Sequence, residues 1–342
     1  MKHHYFTLLY VLLLMAVLVS CQREAAPVSE QNLNTEEQLQ EPDRIIGLGT
    51  KLQNPYTVSN MQQAWQNLTQ DEKSAFAQKT AGKTVDIAAT DYYVRFLPAD
   101  DEEKETLEKE DDLTLFDMPL DYELEEGVAG AYHDPGLPPG QLTWQYTVVP
   151  VGYSFREGTS YEILTGLFLQ DEAEEDSGQA AKQQLSPELW AALEDEALKI
   201  TGNKDKDTQD VMLAAKPKWY PSGTILYEDT TTGDIVPLSG VRVVVKRWFK
   251  WKHDITDANG EFRVGKFRSD KVKCGIKWER RNWDIRSGSY GQAWYSFEPL
   301  RRGQQWELTI RRNSTPRNWL YASVHRAAME YFYNHDAHGI RQ

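Results

Sequence analysis

The sequence predicts an α+β fold, with a mixed α/β domain first, a β-sandwich second and a helix at the C-terminus. Upstream of residue 215, apolar positions at helical spacing alternate with short β-rich runs. Downstream of Lys216, alternating segments recur about every ten residues with Gly, Asn, Asp and Ser between them, and no long helical pattern returns until Trp319. An apolar content of 40% and a charged content of 26% over 342 residues are those of a globular chain, which excludes global disorder and collagen-like sequence. At roughly 100–200 residues per domain the length allows two or three compact units, and two are expected. The expected boundaries are 1–20 for a signal peptide, 21–43 for a tether, 44–215 for the α+β domain, 216–315 for the sandwich and 316–342 for the helix and tail.

Lys2, His3 and His4 precede an apolar run from Tyr5 to Val19, about 15 residues long, where a membrane-spanning helix needs ~20. A secretory signal is therefore favoured. The run closes on Leu18-Val19-Ser20-Cys21, which resembles the lipobox of bacterial lipoproteins. That resemblance implies diacylglycerol on the Cys21 sulfur, cleavage before Cys21 and acylation of the new amino terminus. Several acyl chains anchor stably where one binds only marginally. The residues alone leave two alternatives, a cleaved signal in which Cys21 is incidental and a short membrane anchor. Gln22 follows Cys21 where an inner-membrane retention signal of enteric lipoproteins has Asp, so the resemblance implies an outer-membrane protein, on the periplasmic or the surface face. Cys274 is the one remaining cysteine, so a chain acylated at Cys21 forms no internal disulfide and no four-cysteine zinc site. Its alternating surroundings, Val272 to Ile276, mark it as a small buried hydrophobe.

Gln22 to Asp43 is polar and poor in large apolar residues, the composition of a tether, and Gln170 to Gln179 reads as an acidic loop. Val58, Met61, Ala64, Trp65, Leu68 and Phe76 follow helical spacing, predicting a helical pair over 57–79 with Thr57 or Ser59 as cap. Tyr92–Leu97 reads as a strand, Asp100–Lys109 as an acidic helix and Leu113–Phe116 as a second strand, a strand–helix–strand unit. Thr143–Val149 is another strand, and Ser186–Ile200 a helix with Pro187 at its first position and Gly202 beyond its end. In the second half the strands are Thr224–Tyr227, Val241–Trp251, Glu261–Phe267, Val272–Trp278 and Trp306–Ile310, with an unplaced extension at Tyr290–Phe297.

Gly223-Thr-Ile225, Pro237-Leu-Ser-Gly240-Val241-Arg-Val243 and Thr256-Asp-Ala-Asn-Gly260-Glu-Phe262 resemble the carboxypeptidase-regulatory-like domain, a transthyretin-like sandwich, over roughly residues 219–312. The resemblance implies a central strand after Pro237–Val241 and a hairpin turn at Thr256–Phe262 with Phe262 in the core. Asn259-Gly260 is also a dipeptide suited on its own chemistry to a tight turn. Modules of that family are accessory and carry no catalytic residues, so no active site transfers. Through Asn54-Pro-Tyr56, Tyr93–Pro98 and Lys277-Trp-Glu279 the whole chain is similar to Bacteroidota lipoproteins that have no assigned function.

Charge divides the chain. Residues 1–215 carry 15 Lys+Arg and 39 Asp+Glu, a net of −24, while residues 216–342 carry 23 and 13, a net of +10, with eight of the 11 Trp. Interleaved cations and flat rings suit an anionic polymer, and outside the cytoplasm that is an envelope glycan or lipopolysaccharide, with no nucleic acid as partner. The ligand-binding candidates are Trp248, Lys250, Arg280 and Trp283. Against this, strand alternation in Lys246–Trp251 sends Trp248 with Lys246 and Lys250, and Phe249 with Trp251, so about half of these Trp belong to a core. The basic half also has a ready counterpart in the acidic half, and internal docking or solvation is the leading account of the charge.

No constellation identifies catalysis, and no cofactor is expected. Phosphate-loop, dinucleotide and Gly-x-Ser-x-Gly motifs are absent. His325 with His335 and His338 would make a metal-dependent hydrolase the enzymatic alternative, but Met329 stands where His-Glu-x-x-His needs its second imidazole. His133-Asp134 falls in a Gly/Pro-rich turn. Asn203–Asp207 starts like a calcium loop but lacks its Gly and its bidentate Glu, with Thr208 and Ala214 in their places. The expected function is thus a non-catalytic envelope lipoprotein, anchored to the membrane through Cys21, binding a glycan or a protein partner. An alternative is an accessory subunit of an outer-membrane complex that docks through the amphipathic helix 319–333.

Overall fold

A computed structural model describes residues 45–70, 72–82, 85–110, 113–170, 185–204, 217–288 and 291–333. Cys21, the tether, acidic residues 171–179, His335 and His338 lie outside the described residues. In the acidic half the elements are β1 (Leu48–Lys51), α1 (Val58–Gln70), α2 (Ala75–Thr80), β2 (Asp91–Leu97), α3 (Asp101–Glu110), β3 (Tyr122–Leu124), β4 (Ala129–Gly130), β5 (Gln145–Pro150), β6 (Ser160–Leu167) and α4 (Pro187–Ile200). The basic half follows with β7 (Ser222–Glu228), β8 (Ile235–Pro237), β9 (Arg242–Arg247), β10 (Lys250–Ile255), β11 (Glu261–Arg263) and β12 (Lys271–Lys277). It closes with β13 (Glu279–Arg280), β14 (Trp283–Asp284), β15 (Trp294–Arg301), β16 (Trp306–Ile310) and α5 (Pro316–Tyr333). The chain is a mixed α/β fold built on several antiparallel sheets, with one parallel pair between β16 and β7. None of the described helices is long and apolar enough to cross a membrane.

Local chemistry sets the helix ends. Thr57 Oγ1 accepts from Asn60 N at 3.2 Å, which makes Thr57 rather than Ser59 the first cap, and Ser74 Oγ accepts from Ala77 N at 3.0 Å to start α2. Ser186 caps α4 with Pro187 in its first turn, and Gly202 ends it at φ +71°.

Strand β2 is central to the sheet β5-β2-β6 and divides its side chains by alternation. Val94 and Phe96 join Val149 and Leu107 of α3 in a small apolar cluster, while Tyr93 turns into the largest core with Phe116, Tyr146 and Trp190. The predicted strand–helix–strand unit does not form. Residues 113–116 make only a bridge from Phe116 to Tyr146, and β2 pairs instead with β5 and with β6, a strand whose Ser160–Ile163 face is exposed and shows no buried pattern to read.

The sheet β10-β9-β12-β15-β4 is covered on both faces. Val243, Val245, Val272, Cys274 and Ile276 share a cluster with Ile225, Tyr227 and Ile310 of the second sheet, β11-β7-β16 with β8. On the other face Val244, Trp294 and Phe297 share the largest core with Tyr56, Tyr93 and Trp190. A strand from the acidic half, β4, pairs with β15 at the sheet edge, and all described residues belong to one compact unit. Core and sheet thus both run across position 215/216.

Three expectations change in the basic half. Val241–Trp251 is not one strand, because Trp248 and Phe249 form a two-residue turn that folds β9 back onto β10. Trp248 takes φ +54°, the left-handed region usually left to Gly or Asn, and nothing in the local chemistry announces a turn there. The tertiary contacts hold it, since Tyr56 packs edge-on against both rings at 6.3 and 6.2 Å. The Thr256–Phe262 turn is tight, with Gly260 at φ +75° against the Ile225 carbonyl, but it is not a hairpin, because β10 and β11 belong to different sheets. Phe262 does enter the shared cluster. Of the unplaced extension, Trp294 to Phe297 lie in β15, which pairs with β12 through a bulge at Cys274/Ile276, and Tyr290 lies outside the described residues.

Candidate functional site

Arg280 and Trp283 come together, as partners in the short β13–β14 hairpin. They line a cleft of about 600 Å³ that α3 also lines, through Asp101, Glu105 and Glu108 beside Lys104 and Lys109. Trp283 stacks on Phe332 of α5 at 5.3 Å and 14° and remains half-buried. Trp248 and Lys250 are elsewhere. Trp248 is only 9% exposed inside the core, and the Lys250 amine lies 5.0 Å over the Trp190 ring and donates to the Gln170 carbonyl at 3.0 Å. Trp248 is therefore corrected from an exposed stacking ring to a core residue, because the hairpin tip is driven into the apolar centre.

Beneath the cleft the two charge signs meet. Lys277 Nζ, on a residue 1% exposed, pairs with Glu108 of α3 at 3.0 Å and with Glu279 at 2.8 Å, and Arg242 pairs with the same Glu279. Burial works to strip the Lys277 proton, but Glu279 and Glu108 outweigh it and hold its pKa above the usual value. Burial likewise opposes the Glu279 charge, and Lys277 with Arg242 overcomes it, so its carboxyl stays below the usual range. Asp117 is buried nearby with one oxygen unpartnered, and burial raises its pKa despite Lys104 and Lys277. Lys273–Glu126 at 3.0 Å and Arg286–Asp101 at 2.5 Å continue the seam between the halves. Such a network pins α3 to the sheet.

His325 sits on the inner face of α5, 1% exposed, against Trp278 and Trp283. Its Nε2–H donates to the Ser239 carbonyl at 3.1 Å, and Nδ1 is buried without a partner. Burial, opposed by the Ser239 carbonyl and helped by Arg280, lowers its pKa to about 4. The ring is committed to the interior. Among the described residues no group of three or more His, Cys, Asp or Glu is placed to hold a metal ion. His133 is also buried, with Nε2 3.1 Å from the Gln141 carbonyl.

The other side of α5 is apolar as well. Asn318, Tyr321, Ala322 and His325 are buried, whereas Leu320, Val324 and Tyr331 are 39%, 45% and 45% exposed and, with exposed Ala327, recur at i, i+4, i+7 and i+11 on one stripe. Gly240, at φ +77°, lets the helix close on the sheet, since a Cβ there would stand 2.5 Å from Met329 Sδ. Trp319 Nε1 donates to the Glu228 carbonyl at 2.8 Å and fixes its first turn.

A second cavity, of about 740 Å³, had no motif to announce it. Tyr93, Tyr122, Tyr132 and Tyr146 line it with Arg95 and Asp121. Arg95 lies 4.0 Å over the Trp144 ring and pairs with Glu162 at 2.7 Å. Burial is the main cause that raises the Tyr93 and Tyr146 pKa values.

No known protein family, curated protein or solved structure matches the chain.

Proposed function

We propose that the protein is an envelope lipoprotein, anchored through acylated Cys21, that works as a non-catalytic binding module docking a protein partner on the outer face of α5. The observation that carries this reading is the exposed stripe of Leu320, Val324, Ala327 and Tyr331 on a helix whose opposite face is already in the core. An exposed apolar stripe on a helix whose opposite face is packed is suited to burial against a partner, with Arg326 and Glu330 flanking it. In this reading the two C-terminal sheets are a transthyretin-like sandwich of the carboxypeptidase-regulatory-like kind. Phe262 in their shared cluster, and the run from Pro237 to Val241 leading into β9, an interior strand of its sheet, support it.

A second ligand reading, an anionic glycan at Arg280 and Trp283, draws on their shared cleft, but Asp101, Glu105, Glu108, Glu279 and Asp284 nearly balance the Lys and Arg around it, so a polyanion meets little net positive charge there. The hydrolase alternative gains nothing from His325, whose ring is buried with Nε2 donating to the Ser239 carbonyl.

The test is affinity capture from solubilised envelope with residues 22–342 lacking Cys21, alongside Leu320→Glu/Val324→Glu. These positions are exposed, so the variant keeps its fold, checked by circular dichroism. A partner retained by the parent chain and lost at least about tenfold by the variant is expected, since two buried apolar anchors contribute more than about 1.4 kcal/mol. Equal retention by both chains, or none by either, would remove the docking claim. Glycan in the same eluate that is lost at high salt would favour the second reading.

A further inference from the structure

We propose that a cavity beside β9 binds a small carbonyl compound carrying an anionic group and holds it as an imine on the amine of Lys246. The cavity, about 410 Å³, is lined by Lys246, Arg247, Trp248, Lys271 and Lys273, with Tyr122 at its wall. Strand alternation points Lys246 away from Val243 and Val245 and toward the largest core, where its residue is 5% exposed and its Nζ lies 4.6 Å from the Phe297 ring centroid. Among the described residues no carboxylate pairs with this amine. Lys273 beside it is already paired to Glu126 at 3.0 Å, and Lys204 at the cavity is paired to Asp195 at 2.8 Å.

A lysine in this setting is unusual. Buried ammonium groups are costly without a carboxylate, and Lys246 has an aromatic ring on one side and a second cation near it. Burial first, and then the charge of Lys273, lower its pKa to about 7, with Asp121 pulling the other way. A large share of Lys246 is therefore neutral amine near neutral pH, the form that attacks carbonyl carbon, and desolvation with a neighbouring cation is a general way of activating a lysine nucleophile.

The chemistry balances without a further reagent. The Lys246 nitrogen lone pair forms the C–N bond as the carbonyl π pair moves to oxygen, both N–H protons of the amine pass to that oxygen, and its loss as water breaks the C–O bond and leaves the C=N bond. Arg247, Lys271 and Lys273 outnumber Glu123 and Glu126 around the space, so a carboxylate or phosphate on the ligand meets net positive charge. The volume admits a small molecule and no polymer.

The experiment uses the full chain in detergent at pH 7, 4-carboxybenzaldehyde as the anionic probe, benzaldehyde as the uncharged one and cyanoborohydride to reduce any imine to a stable amine. Peptide mapping then reads the labelling rate of each lysine. Lys246 is expected to label at least about tenfold faster than exposed Lys51, and faster with the anionic probe than with the neutral one. Lys273→Met is expected to remove the advantage of the anionic probe. Lys246 labelling no faster than Lys51 would overturn the imine site, and equal rates with both aldehydes would overturn the anionic ligand class. The wild-type chain carries the main comparison, so the result does not depend on a variant folding.

Discussion

His325 and Trp248 show how burial redefines a residue's chemistry. On the sequence His325 is one of three histidines near the C-terminus, but in the fold it is a neutral core ring, with Nε2 on the Ser239 carbonyl and a pKa lowered to about 4 from 6.5. Between those two values the unfolded chain binds more protons than the folded one, so the stabilisation is complete above about pH 6.5 and is lost as the pH falls toward 4. Over that window His325 accounts for about 3 kcal/mol. Denaturant titrations at pH 7.5 and pH 4.5 should show His325→Gln losing that much less than the parent chain on acidification, and equal losses would place the ring in contact with solvent. Trp248 makes the same point through its backbone. A left-handed Trp costs about 1–2 kcal/mol, and burying its ring against Tyr56 and Phe249 offsets that cost.

At the scale of elements, α3 is held to the sheet by charge more than by apolar area, because Leu107 is its one buried hydrophobic residue while Glu108 reaches Lys277 and Asp101 reaches Arg286. Lys277→Met would leave Glu279 sharing only Arg242 and would strand Glu108 opposite an apolar side chain. The expected cost is about 3–5 kcal/mol, the usual consequence of removing one member of a buried ion network. Glu108→Gln should cost less, since that side chain is 24% exposed and water can replace its partner. Chemical denaturation of both variants checks the order, and a milder effect for Lys277→Met would mean that water already reaches the network. Helix α5 is the opposite case. Its inner face is packed and tethered by Trp319, so changes on its outer stripe are expected to alter docking without altering the fold.

Over the whole molecule, the five-stranded sheet is the shared wall between the acidic and basic halves. Val244, Trp248, Phe249, Trp294 and Phe297 from the basic half complete a core whose other buried members come from residues 46–197. Residues 44–333 should therefore unfold in one transition, with tryptophan fluorescence and far-ultraviolet circular dichroism coincident. Two separated transitions would mean that the halves are independently stable. A chain beginning at residue 216 would expose those five side chains and lose the β4 partner of β15.

What the sequence determined by itself is local. Helix starts at Thr57, Ser74 and Ser186, the left-handed glycines at 202 and 260, and the period-two runs of β7, β9, β12 and β16 follow from side-chain hydrogen bonding, backbone sterics and alternation within a few residues. The opposite net charges of the two halves were also plain, and part of the internal pairing they imply is seen at Lys277, Lys273 and Arg286. Of the candidate site, Arg280 and Trp283 were legible as neighbours. Only the tertiary structure decided that Trp248 is a turn and a core residue, that both faces of the central sheet are covered, that His325 points inward and that Lys246 lines a cavity. Those outcomes depend on contacts between residues tens to hundreds of positions apart. A side chain's burial, charge state and accessibility are properties of the neighbours that such contacts bring to it, and no short window of sequence contains them.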